Sequence, residues 1–261
     1  MRGTSALTPR ARALGAALRR ARGEARFGVR ELARRVGVSA ALLSNWELAL
    51  RMPSAEDVAG ILGALGVTGQ RKDELLGLAR GVLGPDWVAK NGQTAADIIS
   101  SLERTATTVI AWHPLLVPRI LQTAEYGSIA LSAAPFGCSV PAEAYVGENA
   151  LSTVVGNADT MGRQLCFLAN VAASAEGPMV RVVPTRVGWH PGLSGSFTLY
   201  RTVNADVVHC QHHGAATFLF EDKGNGRHRS VVASLRRLAL SEQETAELLL
   251  RKVQSRSKAA A

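Results

Sequence analysis

Cysteine is scarce in this chain of 261 residues: Cys138, Cys166 and Cys210 are odd in number and scattered. That excludes a disulfide framework and makes reduced thiols the expectation. Long apolar runs are missing too. No window approaches the roughly 18 uninterrupted apolar residues that a spanning helix needs, and the N-terminus lacks a basic patch followed by an apolar core and a small-residue cleavage site. A cytoplasmic protein without membrane attachment is expected. Catalytic signatures are equally absent: there is no Gly-Lys-Ser/Thr loop, no Gly-x-Gly-x-x-Gly, no Gly-x-Ser-x-Gly and no His-Glu-x-x-His. The glycine-rich stretch Gly188 to Gly195 lacks the strand-loop-helix setting that phosphates need. Cys166, between apolar neighbours on a helix, reads as core rather than as a nucleophile. The expectation is therefore no enzyme, no cofactor and no metal; internal repeats and low-complexity tracts are also absent.

Acidic charge is thin where basic charge is dense. Residues 1–80 hold 14 Lys and Arg against 7 Asp and Glu, while the remainder is nearly balanced at 16 against 14. Basic charge gathered on one segment is the electrostatic footprint of a polyanion partner. A polyanion is the kind of partner that such charge suits.

The stretch FGVRELARRVGVSAALLSNWELALRMP, from Phe27 to Pro53, lies inside that segment and has the spacing of a helix-turn-helix. Leu32 and Ala33 supply the inward face of one helix, over about Val29 to Val36. Leu43 and Trp46 supply that of a second, over about Ala40 to Leu48. Gly37 takes the sharp turn, where positive φ carries no Cβ clash. Val38 plugs the corner, and Ser39 caps the second helix. Such a second helix projects from the surface, positioned for a major groove of double-stranded DNA, the expected partner.

With Glu47, Arg51, Pro53 and Ser54 at the matching distances, the segment resembles the phage-repressor-like Xre family of regulators. That resemblance implies a five-helix bundle. After a loose tail from Met1 to Thr8, its helices are expected over Pro9 to Arg26, the two of the motif, one from Ser54 closed by Gly66, and one over Arg71 to Leu83. Ser54 and Asp57 form a capping box there. The outward residues of the groove helix are Ala40, Ala41, Ser44 and Asn45; with Arg51 and Arg30 they make the expected DNA-contacting set. Asn45 can pair with adenine, and the alanine methyls can touch thymine methyls. So poor a reading set requires shape readout or a homodimer for selectivity. Two departures stand out: Val29 replaces the phosphate-touching Gln of the family, and Ala49 replaces Gly at a position of positive φ.

Gly84, Pro85, Asp86 and then Lys90 to Gly92 read as a break. The expected organisation is a helix-turn-helix domain over 1–83, a linker over 84–93, an α+β domain over 94–254 and a mobile tail over 255–261. In the third part, helices are expected near Thr94 to Ala106, Asp159 to Ser174, Arg227 to Leu238 and Glu242 to Val253, the last with a Ser241/Glu244 capping box. Strands near Thr107 to Trp112, Val180 to Val183, Phe197 to Arg201, Val207 to Gln211 and Thr217 to Phe220 suggest an antiparallel sheet. The fold class is α+β, an all-α bundle followed by that domain.

Val117, Pro118, Leu121, Gln122, Thr123 and Tyr126 resemble the signature of a sensor-like domain behind Xre motifs in actinobacterial WhiJ-like regulators, with Arg119 standing where that group has Gly. Weaker similarity continues through Glu148 to Leu151, Gln164 and Leu165, and Val180 to Tyr200. A longer Arg-rich segment of the group is shortened here between Leu131 and Tyr145. The resemblance implies signal reception, from a small-molecule effector or a small protein encoded nearby. A ligand pocket would draw on Trp189 and His190 with His209 and His213, which alternation puts on one face of a strand. Their spacing fits no usual zinc pattern. The rival reading is an antitoxin-like interaction module with DNA contact weakened at Val29, Ala40 and Ala41.

Overall fold

Thr8 and Pro9 begin the first helix for separate reasons. The Thr8 hydroxyl accepts the amide of Ala11 at 3.1 Å, and Pro9, at the first helical position, has no amide to leave unsatisfied. The computed structural model describes residues 8–80, 87–90, 92–130, 140–174, 176–203, 205–221 and 226–260. Met1 to Leu7 of the expected tail, Leu83, the Gly84 to Asp86 break, Cys138 and most of the shortened connector lie outside these. The chain divides into two compact units, Met1–Thr105 with His212–Phe220, and Ala106–Gln211 with Glu221–Ala261.

In the first unit, α1 (Pro9–Glu24), α2 (Val29–Arg35), α3 (Ala40–Glu47), α4 (Ala55–Ala64) and α5 (Gly69–Arg80) form the expected bundle. Leu14, Leu18, Leu32, Leu43, Ile61 and Leu62 are its buried centre. The caps that the sequence announced are made: Asp57 N donates to Ser54 Oγ at 3.1 Å, and Ser54 N donates to Asp57 Oδ2 at 2.9 Å. Gly66 closes α4 at φ +70°. Inside the stretch expected as linker, Trp87–Lys90 forms a strand, β1, followed by α6 (Gln93–Thr105).

α6 packs along α1. Arg20 pairs with Asp97, and Arg12, almost wholly buried, donates to Thr105 Oγ1 at 2.5 Å. Burial, reinforced by the nearby Arg104 charge, lowers the Arg12 pKa to about 10.

The second unit is built on β2 (Ala106–His113), β3 (Ala142–Gly147), β4 (Met179–Val183), β5 (Phe197–Thr202) and β6 (Asp206–His212). Their order is β6, β5, β2, β3, β4. β2 is buried without alternation from Val109 to Trp112, as a strand covered on both faces must be. The antiparallel pairing expected from alternation joins β2 to β5 and β5 to β6. β3, which the sequence reading missed, adds parallel ladders to β2 and β4. β7 (Ala215–Glu221) follows the turn at His213 and Gly214, and pairs antiparallel with β1 in the first unit.

The outer edge of β4 is closed by the chain entering the last helix. Leu240 N donates to Val182 O at 2.8 Å, and Val182 N donates to Thr245 Oγ1 at 3.1 Å. Arg181 binds the carbonyls of Leu240 and Ala239 at 2.6 and 2.7 Å. An edge so occupied cannot recruit another strand.

Helices α7 (Ala124–Ile129), α8 (Ala158–Ala173), α9 (Arg227–Leu238) and α10 (Glu242–Ala260) complete this unit. Val117, Tyr126, Val146, Leu165, Val182 and Leu249 share one core. The Ser241/Glu244 box starts α10. Where a mobile tail was expected, α10 continues to Ala260, with Ser255 Oγ bonded to Lys252 O. One expectation is corrected outright: Cys166 is exposed on α8, because it falls outside the buried stripe of Met161, Leu165, Leu168 and Ala169. Among the described residues, no helix is long and apolar enough to cross a membrane.

Candidate DNA-reading surface

The α2–turn–α3 corner is held by local bonds. Gly37 sits at φ +74°. Val38 N donates to Ala33 O at 2.9 Å, and Ser39 Oγ accepts Leu42 N at 3.1 Å. Leu32, Ala33, Leu43 and Trp46 are buried. That leaves an outward stripe along α3 in which Ala41 is exposed and Ser44 and Asn45 are half-buried, whereas Ala40, expected on it, packs against the bundle core.

Sequence reasoning stopped the stripe one residue short. Leu48, one turn beyond Ser44 and two beyond Ala41, is 43% exposed, and Leu50 is 56% exposed. Helical spacing from Ala41 was the available signal. The loop carrying Leu50 and Arg51 is pinned: both amides donate to Asn45 O, at 2.9 and 3.2 Å. The Asn45 side chain makes no hydrogen bond among the described residues. Arg30 and Arg51 are exposed and form no ion pair among the described residues.

Ala49 adopts φ +55° and is buried, so the left-handed conformation is kept without glycine. Val29 is half-buried against the bundle core, which accounts for an apolar residue there. Glu47, the only ionisable side chain of α3, points inward. Arg22 Nε donates to Glu47 Oε1 at 2.6 Å and Arg22 Nη2 to Oε2 at 2.8 Å. The hydrogen bond to Glu47 raises the Arg22 pKa, outweighing the opposing effect of burial. Arg22 Nη1 also donates to Phe27 O at 3.0 Å, tying α1 to the entry of α2. Gly15 completes the arrangement. A Cβ there would lie 2.7 Å from Trp46 O and 2.8 Å from Glu47 O, so α1 crosses the end of α3 at backbone distance.

The ligand candidates lie elsewhere. Trp189 is 81% exposed, while His190 is buried edge-on against Trp112, ring centroids 5.6 Å apart. Trp112 Nε1 donates to Gly192 O at 2.7 Å, which fixes this loop. His209 is buried within β6, opposite Thr198, with Gln211 Oε1 3.2 Å from its Nε2. His213 is exposed in the turn beyond β6, so strand alternation does not extend to it. Among the described residues no group of three or more His, Cys, Asp or Glu is placed to hold a metal ion.

The stretch from Val117 to Tyr126 binds to itself. Val117 N donates to Tyr126 Oη at 3.2 Å, and Gln122 Nε2 donates to Val117 O at 2.7 Å. Gln164 Nε2 donates to Leu121 O at 2.7 Å, while its Oε1 accepts Thr123 N at 2.8 Å. These residues build the fold of the unit.

Residues 13–75 match the family described as helix-turn-helix domain (HTH_31), and residues 133–251 match the domain of unknown function DUF5753. The clp gene regulator ClgR from C. glutamicum, a solved structure, is 36% identical over 29% of this chain and 92% of its own, with a TM-score of 0.24. No curated protein matches. The chain carries the expected helix-turn-helix domain, followed by an α+β domain.

Proposed function

We propose that this DNA-binding transcriptional regulator is sequence-specific, acts in the cytoplasm as a homodimer, and takes its signal through the α+β domain. The observation that carries the reading is the inward turn of Glu47 onto Arg22, which leaves α3 presenting Ala41, Ser44, Asn45 and Leu48 with no carboxylate toward a phosphate backbone. Arg30 and Arg51 flank that stripe as phosphate ligands. A single amide gives about 1 to 3 kcal/mol of discrimination per half-site. Two half-sites on a dimer multiply that selectivity.

The helix-turn-helix over residues 1–83 is the reader, and residues 94–254 receive a small-molecule effector or a small protein encoded nearby. Trp189, His190 and His209 are the candidates for that reception. The antitoxin-like alternative draws its support from Val29, whose side chain serves the bundle core. Electrophoretic shift of the gene's own upstream DNA across a salt series separates the two. Specific, salt-steep binding supports the regulator; co-purification with a small protein and no DNA affinity supports the alternative.

A further inference from the structure

A helix that reads guanine does so with Arg or Lys on O6 and N7, and one that reads the cytosine amino group does so with a carboxylate. The outward stripe of α3 has neither. It runs Ala41, Ser44, Asn45 and Leu48, and the only charged side chain of the helix is turned inside on Arg22. What remains is one amide, one hydroxyl and a row of saturated carbon that ends in a leucine 43% exposed. Leu50, 56% exposed, extends that row on a loop bonded to Asn45 O.

Two exposed leucines beside the proposed reading helix, with arginines around them, suit a partner that is apolar at their tips and anionic at its edges. Arg30, Arg34 and Arg51 are exposed nearby in sequence, at the start of α2, at its end and just after α3. The major groove over A·T pairs has that composition: thymine places a C5 methyl on the groove floor, adenine offers N6 and N7 to an amide, and phosphates line both walls.

We infer that the stripe reads thymine methyl groups, with Leu48 as its specificity-determining residue, and that the preferred half-site is centred on A·T pairs. This rests on the reading that α3 enters the major groove. Ala41 and Leu48, two turns and so about 10.5 Å apart on one face, meet methyls on base pairs that are not adjacent, and Asn45 between them takes an adenine.

The test uses the full-length protein and a duplex enriched by repeated selection from a randomised pool, prepared with thymine and again with uracil at every thymine position. Uracil removes only the C5 methyl and leaves the pairing pattern and charge unchanged. Affinity is expected to fall about fourfold for each methyl covered. Leu48→Ala is expected to lower affinity for the thymine duplex and shrink the thymine-to-uracil ratio, whereas Leu48→Met keeps most of the ratio. Arg51→Ala weakens both duplexes alike and leaves the ratio unchanged. Circular dichroism checks that the variants are folded. Equal affinity for the two duplexes, or a selected site centred on G·C pairs, overturns the inference while DNA binding stands. So does a Leu48→Ala variant that keeps the ratio but changes the sedimentation of the free protein, which assigns the leucine to a protein contact. Failure to bind any duplex at low ionic strength overturns the groove reading and the inference with it.

Discussion

Arg22 and Glu47 meet through two parallel N–H···O bonds, Nε to Oε1 at 2.6 Å and Nη2 to Oε2 at 2.8 Å, with the carboxylate almost wholly inside the bundle. The pair joins α1 to the last turn of the helix that presents Asn45. It therefore fixes the direction in which α3 projects, and keeps a negative charge off the surface proposed to meet phosphates.

Removing one member leaves the other buried without its counter-charge. Glu47→Ala is expected to lower the stability of the bundle by about 3 kcal/mol. The joint change Arg22→Met with Glu47→Leu recovers most of that loss, since neither residue then strands a charge. Denaturant unfolding of the single and double variants measures the difference; a double variant as weak as Glu47→Ala contradicts it.

Gly15 faces backbone oxygens that have little room to retreat, 2.7 and 2.8 Å from where a Cβ would sit. Overpacking of this kind costs about 1 to 3 kcal/mol, and the better helix propensity of alanine returns about 1. Gly15→Ala is therefore expected to lower the melting temperature, and to weaken DNA binding because α1 and α3 are forced apart.

Ala49 holds φ +55° with its methyl buried. Glycine there relieves about 1 to 2 kcal/mol of backbone strain, but loses a buried methyl of about 0.8 kcal/mol and adds unfolded-state freedom of about 0.5 to 1 kcal/mol. Ala49→Gly is expected to change stability by less than about 1 kcal/mol. Ala49→Val, β-branched in the left-handed region, is expected to destabilise clearly. Unfolding midpoints of the two variants distinguish strain from packing as the dominant effect.

His113 Nδ1 accepts the amides of Leu115 at 3.2 Å and Leu116 at 2.9 Å. Burial lowers its pKa from 6.5 to about 4. Between those values the unfolded chain holds a proton that the folded chain does not. This contribution to stability is thus complete above pH 6.5 and is lost as pH falls toward 4. His113→Asn keeps an acceptor but no titration, and is expected to flatten the melting temperature between about pH 4 and 6.5.

Arg51 and Asn45 are expected to fail differently. Arg51→Ala weakens binding to all duplexes and reduces the salt slope by about 1. Asn45→Ala changes sequence preference and leaves the slope in place. Equal losses on selected and random DNA for both variants contradict this division.

Much of the first unit was legible because its instructions are local. The turn at Gly37, the Ser39 cap, the Ser54/Asp57 box and the inward Leu43 and Trp46 each act within a turn or so of themselves, so spacing alone reveals them. The Ser241/Glu244 box was legible for the same reason. β3 was not. Ala142 to Gly147 has little intrinsic preference for a strand, and becomes one by pairing with β2 and β4, whose partner residues the chain supplies from well upstream and well downstream.

The candidate site divides along the same line. The outward placement of Ala41, Ser44 and Asn45 follows from helical period, and the sequence by itself determined it. Whether Glu47 faces DNA or the core was decided by Arg22, 25 positions away, since a carboxylate turns inward only where a guanidinium meets it. Tertiary structure likewise left Cys166 on the surface and turned the motif from Val117 to Tyr126 into scaffold. Local hydrogen bonds and period are written in neighbouring residues; burial and charge pairing depend on which distant segment arrives alongside.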